Sequence, residues 1–470
     1  MSQHAKELLL ERVARAHFQY FLDYQDKDTG LILDRTREGG PATIAGVGFA
    51  LPAYAAASRR HWISRGEAVS YTLKVLRLLW TVPQGEESQG RSGYRGYFYH
   101  FLDPKSGERA TAPRFWNSEL SSIDTALLMA GVRFAATFYD GQTPEEIEIR
   151  QLANQLYNRV EWNWLLRPDG LIGHGWSPEH GLIESVYSGY SEALLLYLLA
   201  MGSPTHAVPG QSWQALCRRY QTANYTGKKK GTFITMPGTP LFCYQYPHCF
   251  VDFRGIKDGV NRKLGFDYFE NSRRATLAQH RYAVLNPENF VGYDHKNWGL
   301  TASDGPGDGT AIVNGKERRF SWYRERGAPF GHDDGTIAPT AALSSLPFAP
   351  GLVSKTARHW LKHRPELFSR HGFADAFNDS FAISPSPGET ASATRTWVDP
   401  ERIAIDQGPV VLMFENHRSG LIWRTMRRDP VLQRALKKAD FRGGWLKKKQ
   451  KRRKLPEPNQ RQAARNTNQE

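Results

Sequence analysis

The stretch Tyr187 to His206, YSGYSEALLLYLLAMGSPTH, puts one carboxylate, Glu192, at the head of a run that is apolar for nine positions except for the Tyr197 hydroxyl. Two readings fit a carboxylate there. Acidic residues favour the first turn of a helix, where free amides and the helix dipole stabilise negative charge. Alternatively, burial beside Tyr187, Tyr190 and the apolar run raises its pKa and makes it a proton donor.

Other loops carry the same mixture of acids, rings and glycine. GLIGHGWSPEHGLIESVYSGYSE holds His174, Trp176 and Tyr187, and NFVGYDHKNWGLTASDGPGDG holds Tyr293, Asp294, Trp298 and Asp304. PFGHDDGTIAPT adds His332, Asp333 and Asp334, and RHGFADAFNDSF adds Asp375 and Asn378. A pyranose has apolar faces that stack on Trp or Tyr and hydroxyls that suit Asp, Asn, His and Arg. Hydrolysis of a glycosidic bond needs two carboxyl groups, one donating a proton to the leaving oxygen and the other acting as base or nucleophile. Each candidate also has a plain structural reading. Asp124 in SSIDTALLMAG fits a capping position beside Ser121 or Ser122, and Asp375 fits an Asx-turn. Asp304 fits a turn, and Trp176 and Trp298 fit a core. SDGPGDG lacks the spaced ligands and closing Glu of a calcium loop, so no metal and no other cofactor is expected.

The elements that must position these residues read as helices, about a dozen, joined by aromatic, glycine-rich loops. Thr43 to Ala57, Ile123 to Ala136 and Ala193 to Met201 are apolar on nearly every face, as helices packed by protein on all sides must be. Arg65 to Trp80 and Glu146 to Val160 have one polar face. This alternation suits an inner layer of helices wrapped by an outer one. Strand alternation is scarce, RGYFYHFLD being the best hairpin piece. The expected class is all-α with short β-hairpin pieces in loops, as one domain over residues 1–423 and a basic extension over 424–470.

The net charge of +15 is a property of that extension. Sixteen of the 62 Lys and Arg and four of the 47 Asp and Glu lie from Arg424 on, so the first 423 residues carry a net of only +3. KKKQKRRK and the segment after it lack apolar periodicity, which predicts disorder from about residue 447. A solvated end is expected, with weak contact to an anionic surface as the alternative; no nucleic-acid partner is expected. Cys217, Cys243 and Cys249 form no CxxC pair; Cys243 and Cys249 fit either buried thiols or a pair in an oxidising compartment. No run of 18 apolar residues occurs, and MSQHAKELLLERVARAHFQYFLDY reads as an amphipathic helix and not a leader, which fits a cytoplasmic chain or one whose leader was removed. Nucleophile-elbow, HExxH, Walker and dinucleotide patterns are absent in usable context.

The blocks SSIDTALLMAGVRFAATFYDG, YSEALLLYLLAMGSPTH, WGLTASDGP, DDGTIAPTAALSSLPFAP and IDQGPVVLMFENHRSGLIW resemble, in order, the glucoamylase-like family of bacterial proteins. That family includes the endo-β-1,2-glucanases of glycoside hydrolase family 144 and is related to modules of cyclic β-1,2-glucan synthases. The resemblance covers about Leu9 to Trp423. It implies an (α/α)6 barrel that hydrolyses β-1,2-glucan to short, sophorose-type oligosaccharides, endo-acting and inverting. It implies that Glu192 is the general acid, that Asp375 and Asp124 are acidic pocket positions, and that Asp304, Trp298, His248 and Arg254 line the pocket. Two departures stand out: Ser191 where Asn usually precedes the acid, and GDGTAIVNGKERR where an aromatic loop is usual. A transglycosylase on the same site and a non-catalytic glucan-binding protein are the alternative functions.

Overall fold

The computed structural model describes residues 3–225, 231–383 and 395–447. Its helices, in chain order, are α1 Gln3–Asp23, α2 Ile44–Arg59, α3 Arg65–Thr81, α4 Ser122–Phe138, α5 Pro144–Asn158, α6 Leu194–Gly202, α7 Gln211–Cys217 and α8 Tyr246–Phe250. They continue with α9 Gly259–Leu264, α10 Tyr268–Leu285, α11 Pro339–Ser344, α12 Pro350–His363, α13 Ala404–Arg418, α14 Leu421–Met426 and α15 Pro430–Lys438. The molecule is helix-rich, and most of its strands are two-residue pieces in the connecting loops.

Burial follows the apolar pattern. α2, α4, α6, α11 and α13 are buried on almost every side, whereas α3, α5 and α12 bury one stripe. The buried helices touch in sequence: α2 packs on α4 and α13, α4 on α6, α6 on α8, α8 on α13, and α11 on α13. Others lie outside them, α1 against α13, α5 against α3 and α4, and α15 against α6. Glycine sets the closest of these approaches. A Cβ on Gly48 would stand 2.3 Å from the Leu127 carbonyl oxygen, and one on Gly131 would stand 2.2 Å from that of Gly48. Only two glycines let α2 and α4 come this near.

Each apolar helix begins on a short strand or turn that fixes its first residues. Ala42–Thr43 pairs with Phe101–Leu102 ahead of α2, and Leu120–Ser121 pairs with Gly175–Ser177 ahead of α4. The expected RGYFYHFLD hairpin is present in part: Tyr97–Phe98 turns back on Gly93–Tyr94, while Phe101–Leu102 goes to residues 42–43. The GDGTAIVNGKERR departure folds as a hairpin, Gly309–Val313 on Lys316–Phe320.

The boundary expected after Trp423 falls inside α14, and the packed body continues to the end of the described chain. Val431, Leu432, Ala435 and Leu436 form an apolar stripe on α15 against α6, and a buried ion pair, Arg133 to Asp429 at 2.9 Å, pins its start. Arg442–Gly443 then pairs with Ile256–Lys257. Arg434, Lys437 and Lys438 lie off the buried stripe of this amphipathic helix, so charge alone is a poor guide to the body's limits. The disorder expected from about residue 447 falls outside the described residues. No helix among the described residues is long and apolar enough to cross a membrane.

Candidate active site

Glu192 occupies the turn just before α6, where the Leu195 amide donates to its carbonyl oxygen at 3.1 Å. No side chain caps α6. The Glu192 carboxylate instead accepts from the Cys243 thiol, with Sγ 3.0 Å from Oε2. Cys243 is fully buried in the 3-10 turn Leu241–Tyr244 that leads into α8. Burial raises the Glu192 carboxyl above its usual range; the thiol partly offsets this, and the charges of Glu325 and Asp124 add to it. This is an environment that favours the protonated form, as a proton donor requires.

Asp124 sits in the first turn of α4, where Ser121 both caps the helix and donates to Asp124 Oδ2 at 2.6 Å. The capping reading therefore holds for Ser121. Asp124 also lies 3.6 Å from Nε2 of His100, whose Nδ1 is 2.9 Å from Glu119 Oε1. Burial lowers the His100 pKa, but Asp124, Glu119 and Asp34 outweigh it and hold the ring at about 9, as an imidazolium between carboxylates. Tyr187 belongs to this half of the site. Its ring stacks on His174 at 4.1 Å, and burial and the charges of Glu192 and Asp124 hold its hydroxyl well above its usual range.

A second group of acids gathers around Asp375, fully buried between Gly372–Phe373 and Phe377–Ile383. Its Oδ2 accepts the Asp304 amide at 2.9 Å. Burial, Asp406 and Asp304 hold its carboxyl well above the usual range. Asp406 enters from the first turn of α13 and accepts from the Tyr246 hydroxyl at 3.3 Å; burial pushes it up to about 7. Two acids this close share a proton because they cannot both ionise cheaply. Asp399 is raised to about 8 by burial, then by Asp375 and Asp304. Oxygens of Asp304, Asp375 and Asp399 lie within 4.8 Å of one another, the one such metal-capable group among the described residues. Shared protons satisfy such a group equally well. Arg35 is the main countercharge, reaching Asp34 at 3.0 Å and both Asp304 and Glu401 at 2.9 Å.

The loop 303–326 links the two halves. The exposed Tyr323 has a hydroxyl next to the Asp406 and Asp375 charges, and Glu325 is a charge neighbour of Glu192. Arg326 and Asp334, both fully buried, hold this loop through two bonds of 2.8 Å, and Arg326 also donates to the Ser303 and Ser321 carbonyl oxygens.

Glu192, Asp124, Tyr187, Asp304 and Asp375 are thus brought to one end of the buried helices, and other expected residues are not. His248 is fully buried with its ring against Phe253, Phe269 and Phe348 and its Nε2 2.9 Å from Ser272 Oγ. Burial lowers it to about 3, so it is a neutral core histidine. Trp298 is fully buried, its indole donating to Thr356 Oγ1 at 2.9 Å. Arg254 lies beyond the far end of α8 from Tyr246; it is paired with Asp252 at 2.7 Å and stacked on Trp423 at 4.2 Å. Trp176 joins a cluster with Tyr94 and Trp164. Tyr190, expected beside Glu192, is buried among Tyr220, Tyr244 and Tyr268. Asp333 accepts from Tyr293 at 2.6 Å and is raised to about 6 by burial, while His332 stands 3.9 Å from the Asp334 carboxylate. All three cysteines are free thiols.

Sequence reasoning missed Asp34, Arg35, His100, Cys243, Glu325, Asp399 and Asp406. Asp406 had a usable signal, since it heads an apolar helix just as Glu192 and Asp124 do.

Comparison with known proteins identifies related sequences and folds. The Glycoamylase family model, described as "Putative glucoamylase", matches residues 185–430, more than half of the chain. A curated relative from Parabacteroides distasonis, an exo β-1,2-glucooligosaccharide sophorohydrolase (non-reducing end), is 26% identical over 461 residues. The alignment covers 92% of this chain, which spans only 58% of the relative's length. A crystal structure of a "putative glucoamylase" from Bacteroides uniformis superimposes with a TM-score of 0.79 at 28% identity, over 95% of this chain and 100% of that one. An endo-β-1,2-glucanase from Chitinophaga pinensis, solved with sophorotriose and glucose, gives 0.78 at 26% identity, over 93% and 99%. With the fold matched end to end and the family model covering most of the acid-bearing segments, the chain belongs to the glucoamylase-like family.

Proposed function

We propose that this protein is a glycoside hydrolase that cleaves β-1,2-glucan within the chain, with inversion, to short sophorose-type oligosaccharides. In this reading α2, α4, α6, α8, α11 and α13 form the inner ring of an (α/α)6 barrel whose outer ring includes α1, α3, α5, α10, α12 and α15. The observation that carries the reading is the pair of unlike carboxyl environments at one end of that ring. Glu192 is held towards its protonated form by burial, and a proton-sharing acid group around Asp375 and Asp406 lies apart from it. The β-1,2-glucan specificities named for the Parabacteroides distasonis and Chitinophaga pinensis relatives support the substrate.

Glu192 gives its proton to the glycosidic oxygen as the bond to the anomeric carbon breaks. Water adds to that carbon from the opposite face, and its proton passes to the ionised member of the Asp375–Asp406 pair. Asp124, held beside the His100 imidazolium, supplies negative charge that keeps the Glu192 proton in place. Tyr187 and Tyr323 offer ring faces for the sugar.

The test is product analysis on linear β-1,2-glucan, with laminarin, a soluble cellulose derivative and starch alongside, for wild type and Glu192→Gln. Short β-1,2-oligosaccharides of mixed length with an α-configured new reducing end are expected from wild type only. Loss of the general acid lowers turnover by roughly 10²-fold or more. Undiminished turnover in a folded Glu192→Gln variant overturns the assignment of the acid, and turnover of starch alone overturns the substrate.

A further inference from the structure

Away from the carboxylates, a cavity of about 670 Å³ opens on the outside of the molecule between α12, α10 and residues 295–296. Its charged lining is entirely basic. Lys296, Lys355, Arg358 and Lys362 contribute four cations, and His280, His295, His359 and His363 contribute four imidazoles. None of the four cations has a carboxylate within ion-pair distance among the described residues, and α12 contains no acidic residue. Asp294, whose charge acts on His280 and His359, also accepts the amides of Lys296 and Asn297 at 2.6 and 2.8 Å through Oδ1.

This concentration stands out on a body whose first 423 residues carry a net charge of only +3. Cations in the last turn of a helix are favoured by its dipole, which accounts for Lys362 and His363. It does not account for Lys355 and Arg358 further up the helix. Arg358 and Lys362 stand one turn apart, and like charges at that spacing destabilise a helix. An unneutralised patch kept at that cost points to a ligand that supplies the missing charge. The concave shape and the volume suit a small ligand and not a flat lipid surface. Lysine ammonium groups bind phosphate as point charges, without the paired fork of a carboxylate-binding arginine.

We propose that this groove is a binding site for a small anion carrying several phosphoryl groups. Binding strengthens as pH falls, because His280 and His359 become cations. His359 faces Lys296, His363 and Arg364 as well as Asp294, and His280 faces His295 and Asp294. Burial, the first cause in both, and these cationic neighbours place the gain of charge below the usual histidine range. Arg364 is itself paired with Glu366 and Asp379.

The test is calorimetric titration of the full chain with inorganic triphosphate at low salt, at about pH 5 and pH 8. It compares wild type with Lys355→Gln/Arg358→Gln/Lys362→Gln and with His359→Asn/His363→Asn. Lys355, Arg358, Lys362 and His363 are exposed, so the fold tolerates their loss. The triple substitution should weaken binding about tenfold or more, leaving glucan turnover unchanged. The double substitution should reduce the gain between pH 8 and pH 5. The basic segment beyond residue 447 is identical in all three proteins and cancels in the comparison. Superimposable isotherms for wild type and triple variant overturn the site. Binding of phosphatidylglycerol vesicles that depends on these residues, with no triphosphate binding, overturns the small-anion assignment in favour of a membrane surface.

Discussion

The contact between Cys243 and Glu192 makes a prediction with a definite sign. A hydrogen bond to a charged acceptor contributes about 1.5–3 kcal/mol, and a thiol is a weak donor. The 3.0 Å contact is therefore worth about 1 kcal/mol. It favours the ionised carboxylate and so offsets part of the upward push of burial. At 1.36 kcal/mol per pKa unit, Cys243→Ala should raise the Glu192 pKa by about 0.5–1 unit. The protonated acid then persists to higher pH, and the alkaline limb of kcat/KM on β-1,2-glucan moves up by the same amount. Cys243→Ser places a stronger donor at the same position and should move that limb down. The assay is a full pH–rate profile for the three proteins, with thermal melts to show that each is folded. Limbs that coincide, or that move the same way in both variants, refute the idea that this thiol tunes the acid.

Three further outcomes follow from the geometry. Asp399, at about 8, and Asp406, at about 7, bind protons more tightly in the folded chain than in the unfolded one. Their stabilising contribution is complete below about pH 4 and is lost as pH rises through 7 to 8. Asp399→Asn should therefore stabilise the chain against urea relative to wild type more at pH 8 than at pH 5, by an amount on the order of 1–3 kcal/mol. Breaking the buried Arg326–Asp334 pair with Asp334→Ala should cost about 3–5 kcal/mol in urea denaturation, because Arg326 is left charged and unpaired. It should also lower activity, since the loop carrying Tyr323 and Glu325 loses its anchor. His248→Ala should lower the melting temperature, with a cost of about 2–5 kcal/mol, while turnover per folded molecule is retained. Loss of turnover there would return His248 to the site.

The parts of the fold and site that were legible share one physical signature. A long apolar run has few places to go except the interior, so α2, α4 and α6 could be read directly, and an acid at the head of such a run must either cap it or be buried. Glu192 was found by that reasoning, Asp124 entered as a pocket acid through the family resemblance, and both Asp124 and Asp406 obey the same rule. Asp34, Asp399 and Arg35 had no such mark, because short loop segments carry no periodicity and their convergence depends on contacts across more than 250 residues. His248 and Arg254 show the opposite failure. Both stand within ten residues of Tyr246, whose hydroxyl reaches Asp406, but the chain turns His248 into a phenylalanine cluster and carries Arg254 to the other end. Nearness in sequence did not say which way each side chain points. α15 was hidden because it opens a segment whose overall composition is strongly basic, while its own four apolar residues decide its place.

Arg35 joins a segment near the beginning of the described chain to acids at 304 and 401. During synthesis, residue 35 leaves the ribosome long before residue 406, so the acid group around Asp375 cannot exist on a nascent chain until α13 has been made and has docked against α2. Catalytic competence is then a late event in maturation. An activity measurement on chains released at increasing lengths would time the closure of the molecule as well as its chemistry.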